Sequence, residues 1–98
     1  MIVEYEVEVR QEISDAVAHY KSKSPELGGD FILEFDAVVS RILAHPNAWP
    51  PIGQGLRRCL MTRFPYHLIY RVEGEIVRVF AVAHNKQRPR YWRRRVKG

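Results

Sequence analysis

The sequence has little of what secreted and membrane proteins depend on. It contains a single cysteine, Cys59, among 98 residues, so no disulfide can form within the chain. A secreted domain of this size would often need several such bonds. No apolar run approaches the roughly 18 residues that suggest a membrane span, and the N-terminus lacks a signal-peptide pattern. We therefore expect a cytoplasmic protein with no membrane partner.

Several kinds of chemistry lack the residues that they would need. The four histidines show no ligand spacing with one another, with Cys59 or with carboxylates, so we expect no metal site. The chain has no glycine-rich phosphate loop and no nucleophile elbow, so we expect no cofactor. Cys59 has no framing His or Asn motif, and it fits a small buried strand residue better than a nucleophile.

Acidic residues are missing from one end of the chain. Residues 84–98 hold seven of the sixteen Lys and Arg but no Asp or Glu, whereas residues 1–36 hold nine of the eleven acids. This asymmetry predicts that the C-terminal end faces something anionic, either nucleic acid or an acidic protein. The alternative is a solvated tail that only aids solubility.

The residues that are present predict one folded domain over residues 1–98, because 46% of them are apolar and 28% are charged. The clearest local pattern is a β-hairpin. Strong β-formers fill residues 63–71 and 76–83, and Glu73-Gly74 breaks the run between them. The second strand ends at His84, and a basic, aromatic tail follows it.

The first half of the chain predicts a strand and two helices. Valines and glutamates alternate over residues 3–9, which predicts a strand with one acidic face. From about Val9 the spacing becomes helical and continues to residue 23. Ser24-Pro25 then predicts the N-cap and first position of a second helix. This helix should end near His45, since Pro46 disfavours helical geometry before it.

The remaining segments complete an α+β fold. Residues 47–55 predict a loop in which Trp49 packs onto the core, and Leu56 to Met61 predict a strand whose inward face is ambiguous. The predicted order is β-α-α-β-β-β plus a short C-terminal segment. Two helices joined by so short a link should form an antiparallel hairpin, here packed on one face of a mainly antiparallel sheet.

Basic and aromatic residues of the last strands are the candidates for chemistry. If Leu68 and Tyr70 point to the core, strand alternation directs His67 and Arg71 to the opposite, helix-free face. We expect His84 to join them there, together with Arg78, Phe80 and Val82, and Arg58, Arg63 and Tyr91 to lie near the edges. Such cations with an imidazole and a phenol suit phosphodiester chemistry. The alternative is that Arg58, Arg71 and Arg78 pair with the acidic first strand.

Longer motifs give the chain a family resemblance. They are FPYHLIYRV at 64–72, the turn at 73–74, VFAVAH at 79–84, RPRYW at 88–92, and AHPNAWP at 44–50. In these motifs and in its element order, nearly the whole chain resembles the RelE/ParE superfamily of type II toxin–antitoxin toxins, with the last motif typical of a ParE-like subgroup. The resemblance implies one of two targets. RelE-like toxins cut mRNA in the ribosome, whereas ParE-like toxins inhibit DNA gyrase.

The resemblance also implies roles for particular residues. A RelE-like ribonuclease would use Arg58, Arg63, His67, His84 and Tyr91, with Arg58 and Tyr91 in positions that are functional in such toxins. However, His67 replaces an arginine, and Asn85 and Gln87 stand where basic residues would be expected. The ribonuclease set is therefore incomplete, which favours a ParE-like gyrase inhibitor over an enzyme. The residues that would then bind the target are Arg71, Lys86, Arg88, Arg90, Trp92 and Arg93.

Either target implies a cognate antitoxin as partner in a hetero-oligomer. Its disordered, partly acidic segment would fold over the helical hairpin and sheet and cover basic surface. A third, weaker hypothesis is a small nucleic-acid-binding module that binds duplex DNA with steep salt dependence.

Overall fold

The computed structural model describes residues 1–97, and within them two helices lie on one face of a five-stranded sheet. The strand order is β1-β5-β4-β3-β2; β1 runs parallel to β5, and the other neighbours are antiparallel. This confirms the predicted α+β class. The elements are β1 (Ile2–Tyr5), α1 (Val7–Lys23), α2 (Pro25–Ala44), β2 (Pro51–Gly53), β3 (Leu56–Leu60), β4 (Tyr66–Glu73), β5 (Ile76–His84) and a 3-10 helix (Arg93–Arg95).

The boundary between the first strand and the first helix was predicted too late. β1 ends at Tyr5, and α1 has begun by Val7. Val7, which the alternation had placed on a buried strand face, is 84% exposed, whereas Val9 is buried in the helix. The reason is that Val9 and Ala16 already follow the period of the helix, so the helical stripe overrides the short strand alternation.

The predicted loop over residues 47–55 contains a short strand. Pro51 to Gly53 pair with the start of β3 and form one edge of the sheet. Gly53, Gln54 and Gly55 then turn the chain with positive φ angles. The predicted role of Trp49 is confirmed, because its half-buried side chain packs against the core beneath the helices.

A single residue, Ser24, joins the two helices. It stands at the predicted N-cap position, but its hydroxyl donates a hydrogen bond to the Glu26 carboxylate instead of capping a backbone N–H. Gly28 explains how closely the helices approach: a Cβ there would lie 3.2 Å from the Cβ of Lys21. Neither helix within residues 1–97 is long and apolar enough to cross a membrane.

The main core lies between the helices and the sheet. From α2 it takes Phe31, Phe35 and Val38, and the ring of Phe31 lies 5.2 Å from that of Tyr66 on β4. Cys59 is fully buried there, as predicted, and burial raises the pKa of its thiol to about 11. Strand β3, whose inward face was ambiguous, therefore turns Arg57 and Cys59 toward the helices and Leu56 away from them. Met61, just after the strand, also lies in the main core.

A β-bulge divides β5 between two hydrophobic clusters. Ile69 pairs with Ala81 but Tyr70 pairs with Val79, so Phe80 is an extra residue in β5. As a result Phe80 and Ala81 both face away from the helices, and beyond them the alternation is inverted. The predicted grouping of Arg78, Phe80, Val82 and His84 on one face was therefore wrong, because Val82 belongs to the helix-side core.

The second cluster lies on the helix-free face and holds the C-terminal segment. Trp92 is only 4% exposed and packs against Leu56, Ile69 and Phe80. The segment after β5 is therefore not a solvated tail over its whole length: it folds back across the sheet as a second apolar layer.

The two adjacent glycines of α2 allow a matched test of the helix packing. Gly29 has nothing within 4 Å of an added Cβ, whereas Gly28 meets α1. Gly29→Ala should raise the free energy of unfolding by about 0.5–1 kcal/mol through helix propensity. Gly28→Ala should raise the free energy of unfolding by less, because its added methyl group would press against Lys21 of α1. Thermal or denaturant unfolding measures both, and equal gains would contradict the close contact.

Candidate functional site

A cleft opens on the helix-free face, between the ends of β3, β4 and β5 and the C-terminal segment. Its volume is about 210 Å³. Four of the five residues predicted for catalysis border it: Arg58, His67, His84 and Tyr91. Asn85, Gln87, Arg88 and Arg90 also line it, and its apolar lining is Ile52, Ile69, Ala83, Pro89 and Trp92.

Arg63 lies elsewhere, which corrects its predicted place beside the other candidates. Its guanidinium is 3.2 Å from a carboxylate oxygen of Asp30, on α2. Its backbone N–H also donates to Glu34 of the same helix. The break after β3 therefore directs Arg63 toward the helices, away from the cleft.

His67 is the best-defined polar group of the cleft. Its Nδ1 lies 2.7 Å from Oδ1 of Asn85. Since an amide oxygen only accepts hydrogen bonds, Nδ1 carries the proton in this arrangement, and Nε2 of the neutral ring is free to accept one. Burial lowers the pKa of His67, and the positive charge of Arg58 adds to this, while the Asn85 bond acts against it. Burial therefore favours the neutral form of the ring.

His84 borders the cleft, but its ring belongs to the other face of the sheet. Because of the bulge it pairs with Tyr66, and the two rings lie 5.1 Å apart, edge to face. Its Nδ1 accepts a hydrogen bond from the backbone N–H of Lys86 at 3.0 Å. The predicted gathering of His67, Arg71 and His84 on the helix-free face was therefore wrong.

Tyr91 contributes its ring to the cleft, whereas its hydroxyl is bound to another group. The hydroxyl donates to the carboxylate of Glu12 on α1, and the guanidinium of Arg95 lies over the ring. Burial and the hydrogen bond to Glu12 both raise the pKa of Tyr91. This phenol is thus poorly placed to exchange protons with a substrate in the cleft.

Glu12 is a key residue that the sequence reasoning missed. One of its oxygens accepts a bond from the backbone N–H of Val82, at 3.0 Å, and the other accepts a bond from the Tyr91 hydroxyl and forms an ion pair with Arg95. It thus joins α1, β5 and the C-terminal segment. A signal for it exists in the sequence, since Glu12 lies at helical spacing between the buried Val9 and Ala16.

The residues predicted to bind a target differ in their surroundings. Trp92 is buried, and Arg71 bonds the Glu73 carboxylate at 2.7 Å and the carbonyl of Lys97 at 2.9 Å. These two are structural, which corrects their predicted availability. Arg90 is exposed, although it also donates to the carbonyl of Ile52 at 3.2 Å. The other three are exposed: Lys86, Arg88 and Arg93.

The sequence also allowed the alternative that the strand arginines pair with the acidic first strand, and only one of them does. Arg78 pairs with Glu4 of β1, at 3.0 Å, and with Glu6 just beyond it, at 3.7 Å. Arg71 and Arg78 stand opposite each other, and Glu73 lies between them and bonds to both. These bonds, first from Arg78 and then from Arg71, lower the pKa of Glu73. Arg58 pairs with no carboxylate among residues 1–97.

The lining of the cleft contains three arginines and two histidines but no carboxylate. Among residues 1–97, His, Cys, Asp and Glu form no cluster of three or more that could hold a metal ion. The fold and this site define a small α+β protein with a basic cleft beside a C-terminal segment that packs on the sheet.

Comparison with known proteins identifies the family of this chain. The family model for the ParE toxin of the type II toxin–antitoxin system parDE matches residues 3–89, so the chain belongs to that family. Toxin ParE2 of Mycobacterium tuberculosis, from strains CDC 1551 and H37Rv, is 29% identical over 82 residues, which are 83% of this chain and 78% of the relative. The family resemblance predicted from the motifs is thereby confirmed.

A solved structure confirms the fold independently. A chain of the chromosomal ParDE system from P. aeruginosa superimposes with a TM-score of 0.73, covering 86% of this chain and 95% of that chain. The two sequences are only 18% identical, so the similarity concerns the fold and not the individual site residues.

The state of His67 can be tested by NMR titration of the imidazole. We expect a midpoint below the ordinary value of about 6.5, because burial disfavours the charged ring. Arg58→Gln should raise the midpoint by removing a nearby cation, and Asn85→Ala should lower it by removing the supporting hydrogen bond. A midpoint at or above the ordinary value would contradict the buried, neutral ring.

The role of Tyr91 can be tested by removing its hydroxyl alone. Tyr91→Phe should lower the free energy of unfolding by about 1 kcal/mol, because the bond to Glu12 is lost. Tyr5→Phe is the control, since the Tyr5 hydroxyl makes no hydrogen bond within residues 1–97 and its residue is 42% exposed. Denaturant unfolding measures both. A loss no larger than that of the control would show that the hydroxyl does not anchor the segment.

Proposed function

We propose that this ParE-family toxin arrests growth by binding and inhibiting DNA gyrase, and that a cognate antitoxin neutralises it. The observation that carries the proposal is the contrast between two groups of residues. Three of the five ribonuclease candidates have side chains engaged by residues outside the cleft, whereas the exposed cations Lys86, Arg88 and Arg93 follow one another along a single anchored segment.

The contacts that engage three of the ribonuclease candidates argue for inhibition by binding. Arg63 pairs with Asp30 on the helical side, the Tyr91 hydroxyl is bound to Glu12, and the His84 ring packs on Tyr66. A general acid or base must lie within hydrogen-bond reach of the proton that it moves. Of the five candidates, this leaves Arg58 and His67 with free polar groups at the cleft.

Arg58 and His67 are also the observation that favours the second candidate function, a ribosome-dependent mRNA endoribonuclease. A neutral imidazole with a free Nε2 beside an exposed guanidinium has the groups needed to move a proton and to stabilise a phosphate. Substituting His67 without losing cleavage of translated mRNA would rule this candidate out.

The antitoxin is proposed from family membership and from exposed apolar surface. Val7 is 84% exposed at the start of α1, and Leu33 is 69% exposed on α2. Each of these helix residues offers apolar surface to which a protein partner could bind. A partner that folds on binding could cover this surface and still reach the basic side of the sheet with acidic residues.

The proposed target can be tested by inducing the protein alone in cells. We expect growth arrest with a DNA-damage response and intact mRNA, and inhibition of supercoiling by gyrase in vitro. The double variant Lys86→Gln/Arg93→Gln should restore growth, because it removes two exposed cations from the proposed binding surface. The matched control Arg10→Gln/Lys23→Gln removes the same charge from α1 and should remain toxic.

The outcomes of this test separate the two functions. New mRNA 5′ ends at translated codons, without a damage response, would make the protein a ribonuclease. Toxicity that is equal in both double variants would exclude the C-terminal segment as the binding surface. Growth that stays arrested when the antitoxin is co-expressed would exclude neutralisation by it. Deleting residues 90–98 is a poorer test, since it also removes Trp92 from the second cluster.

A further inference from the structure

The cations of the cleft differ from the other arginines on the same face of the sheet. Arg71, Arg78 and Arg95 each bond to a carboxylate, which largely compensates their charge. Arg58 and Arg88 are exposed, and neither lies within an ion-pair distance of an acid in residues 1–97. Within residues 1–97, the positive charge of Arg58 and Arg88 at the cleft is thus left uncompensated, and the exposed cations of the C-terminal segment beside it add to it.

Both polar and apolar groups line the cleft. Guanidinium, imidazole and amide groups come from Arg58, His67, Asn85 and Arg88, and an apolar part of the wall includes Ile69 and other aliphatic residues. Several donors around a space of about 210 Å³ suit a group with oxygens pointing in different directions. The adjoining apolar wall suits the uncharged part of the same ligand.

We propose that this cleft binds a backbone phosphate of a nucleic acid, with Arg58 and Arg88 as the charged donors and the sugar against the apolar wall. The amide of Asn85 holds the His67 ring, and this pair forms the polar floor. A phosphodiester fits better than an acidic side chain, because its tetrahedral oxygens reach donors in more directions than two coplanar carboxylate oxygens, and its sugar covers more of the apolar lining than one or two methylenes do.

A bound phosphate should also change the protonation of His67. Nδ1 already donates to Asn85, so a second proton would go to Nε2. In the free protein, burial disfavours that proton and so, to a smaller extent, do Arg58 and His84, which lowers the pKa of His67; a bound anion favours the proton. Binding should therefore tighten as the pH falls through the pKa of His67.

The inference rests on the proposed function in one respect only: both candidate targets, gyrase on DNA and the translating ribosome, contain nucleic acid. It does not depend on which of them is correct. Direct titration measures phosphate binding, whereas supercoiling and mRNA assays identify the target. The phosphate proposal can therefore fail while the proposed function holds, and the reverse is also possible.

The test titrates the full chain into fluorescein-labelled twelve-nucleotide single strands of DNA and of RNA, followed by fluorescence anisotropy at several salt concentrations. We expect Arg58→Gln and Arg88→Gln each to weaken binding about tenfold and to reduce the salt slope by about 1. Arg10→Gln, the control with the same charge change on α1, should bind like the parent. Circular dichroism verifies that each variant is folded, and the two cleft variants test the site separately.

Competition identifies the ligand. An unlabelled strand of either nucleic acid should displace the labelled one, whereas inorganic phosphate should do so only at far higher concentration and polyglutamate hardly at all. Displacement by polyglutamate as effective as by the unlabelled strand would make the site one for an acidic peptide. Equal effects of Arg10→Gln and Arg58→Gln, or no binding of either strand, would overturn the proposal.

Discussion

One extra residue in the central hairpin, Phe80, determines which side chains of β5 lie on the helix-free face of the sheet. Strand alternation alone would give β5 one apolar face against the helices and one polar face. The bulge places Phe80 and Ala81 together on the helix-free side. That side thereby gains enough apolar surface to bury Trp92. The same shift turns His84 toward Tyr66 and away from the cleft.

Glu12 makes the second connection on which the candidate site depends. Its carboxylate accepts hydrogen bonds from a backbone N–H of β5 and from the Tyr91 hydroxyl, and it forms an ion pair with Arg95. A helix of the main core therefore holds the segment that lines the cleft. Charge-assisted bonds of this kind are among the stronger polar contacts. With Trp92 they give the basic C-terminal residues a defined place beside Arg58 and His67, as recognition of a target requires.

Much of the fold could be predicted from residue patterns, and the errors have local physical causes. The helix over residues 25–44 and the hairpin with its turn at Gly74 follow from periodicities that extend over many residues. The strand boundary near Tyr5 was misplaced because Val9 fits the strand alternation and also begins the helical stripe that continues to Ala16. β2 was missed because three residues rich in Pro and Gly carry no strand signal and become a strand only beside β3.

The sequence by itself determined the order of the two helices and of every strand except β2, the burial of Cys59 and Trp49, and the excess of basic residues after His84. These depend on side-chain polarity and spacing along the chain, which are local properties. Only the tertiary structure decided that Arg78 is paired, that Arg63 and Tyr91 are bound to α2 and α1, and that Arg58 is left uncompensated at a cleft. Whether a charged group is available depends on partners distant in the sequence, and a bulge of one residue can reverse the face on which every later side chain lies.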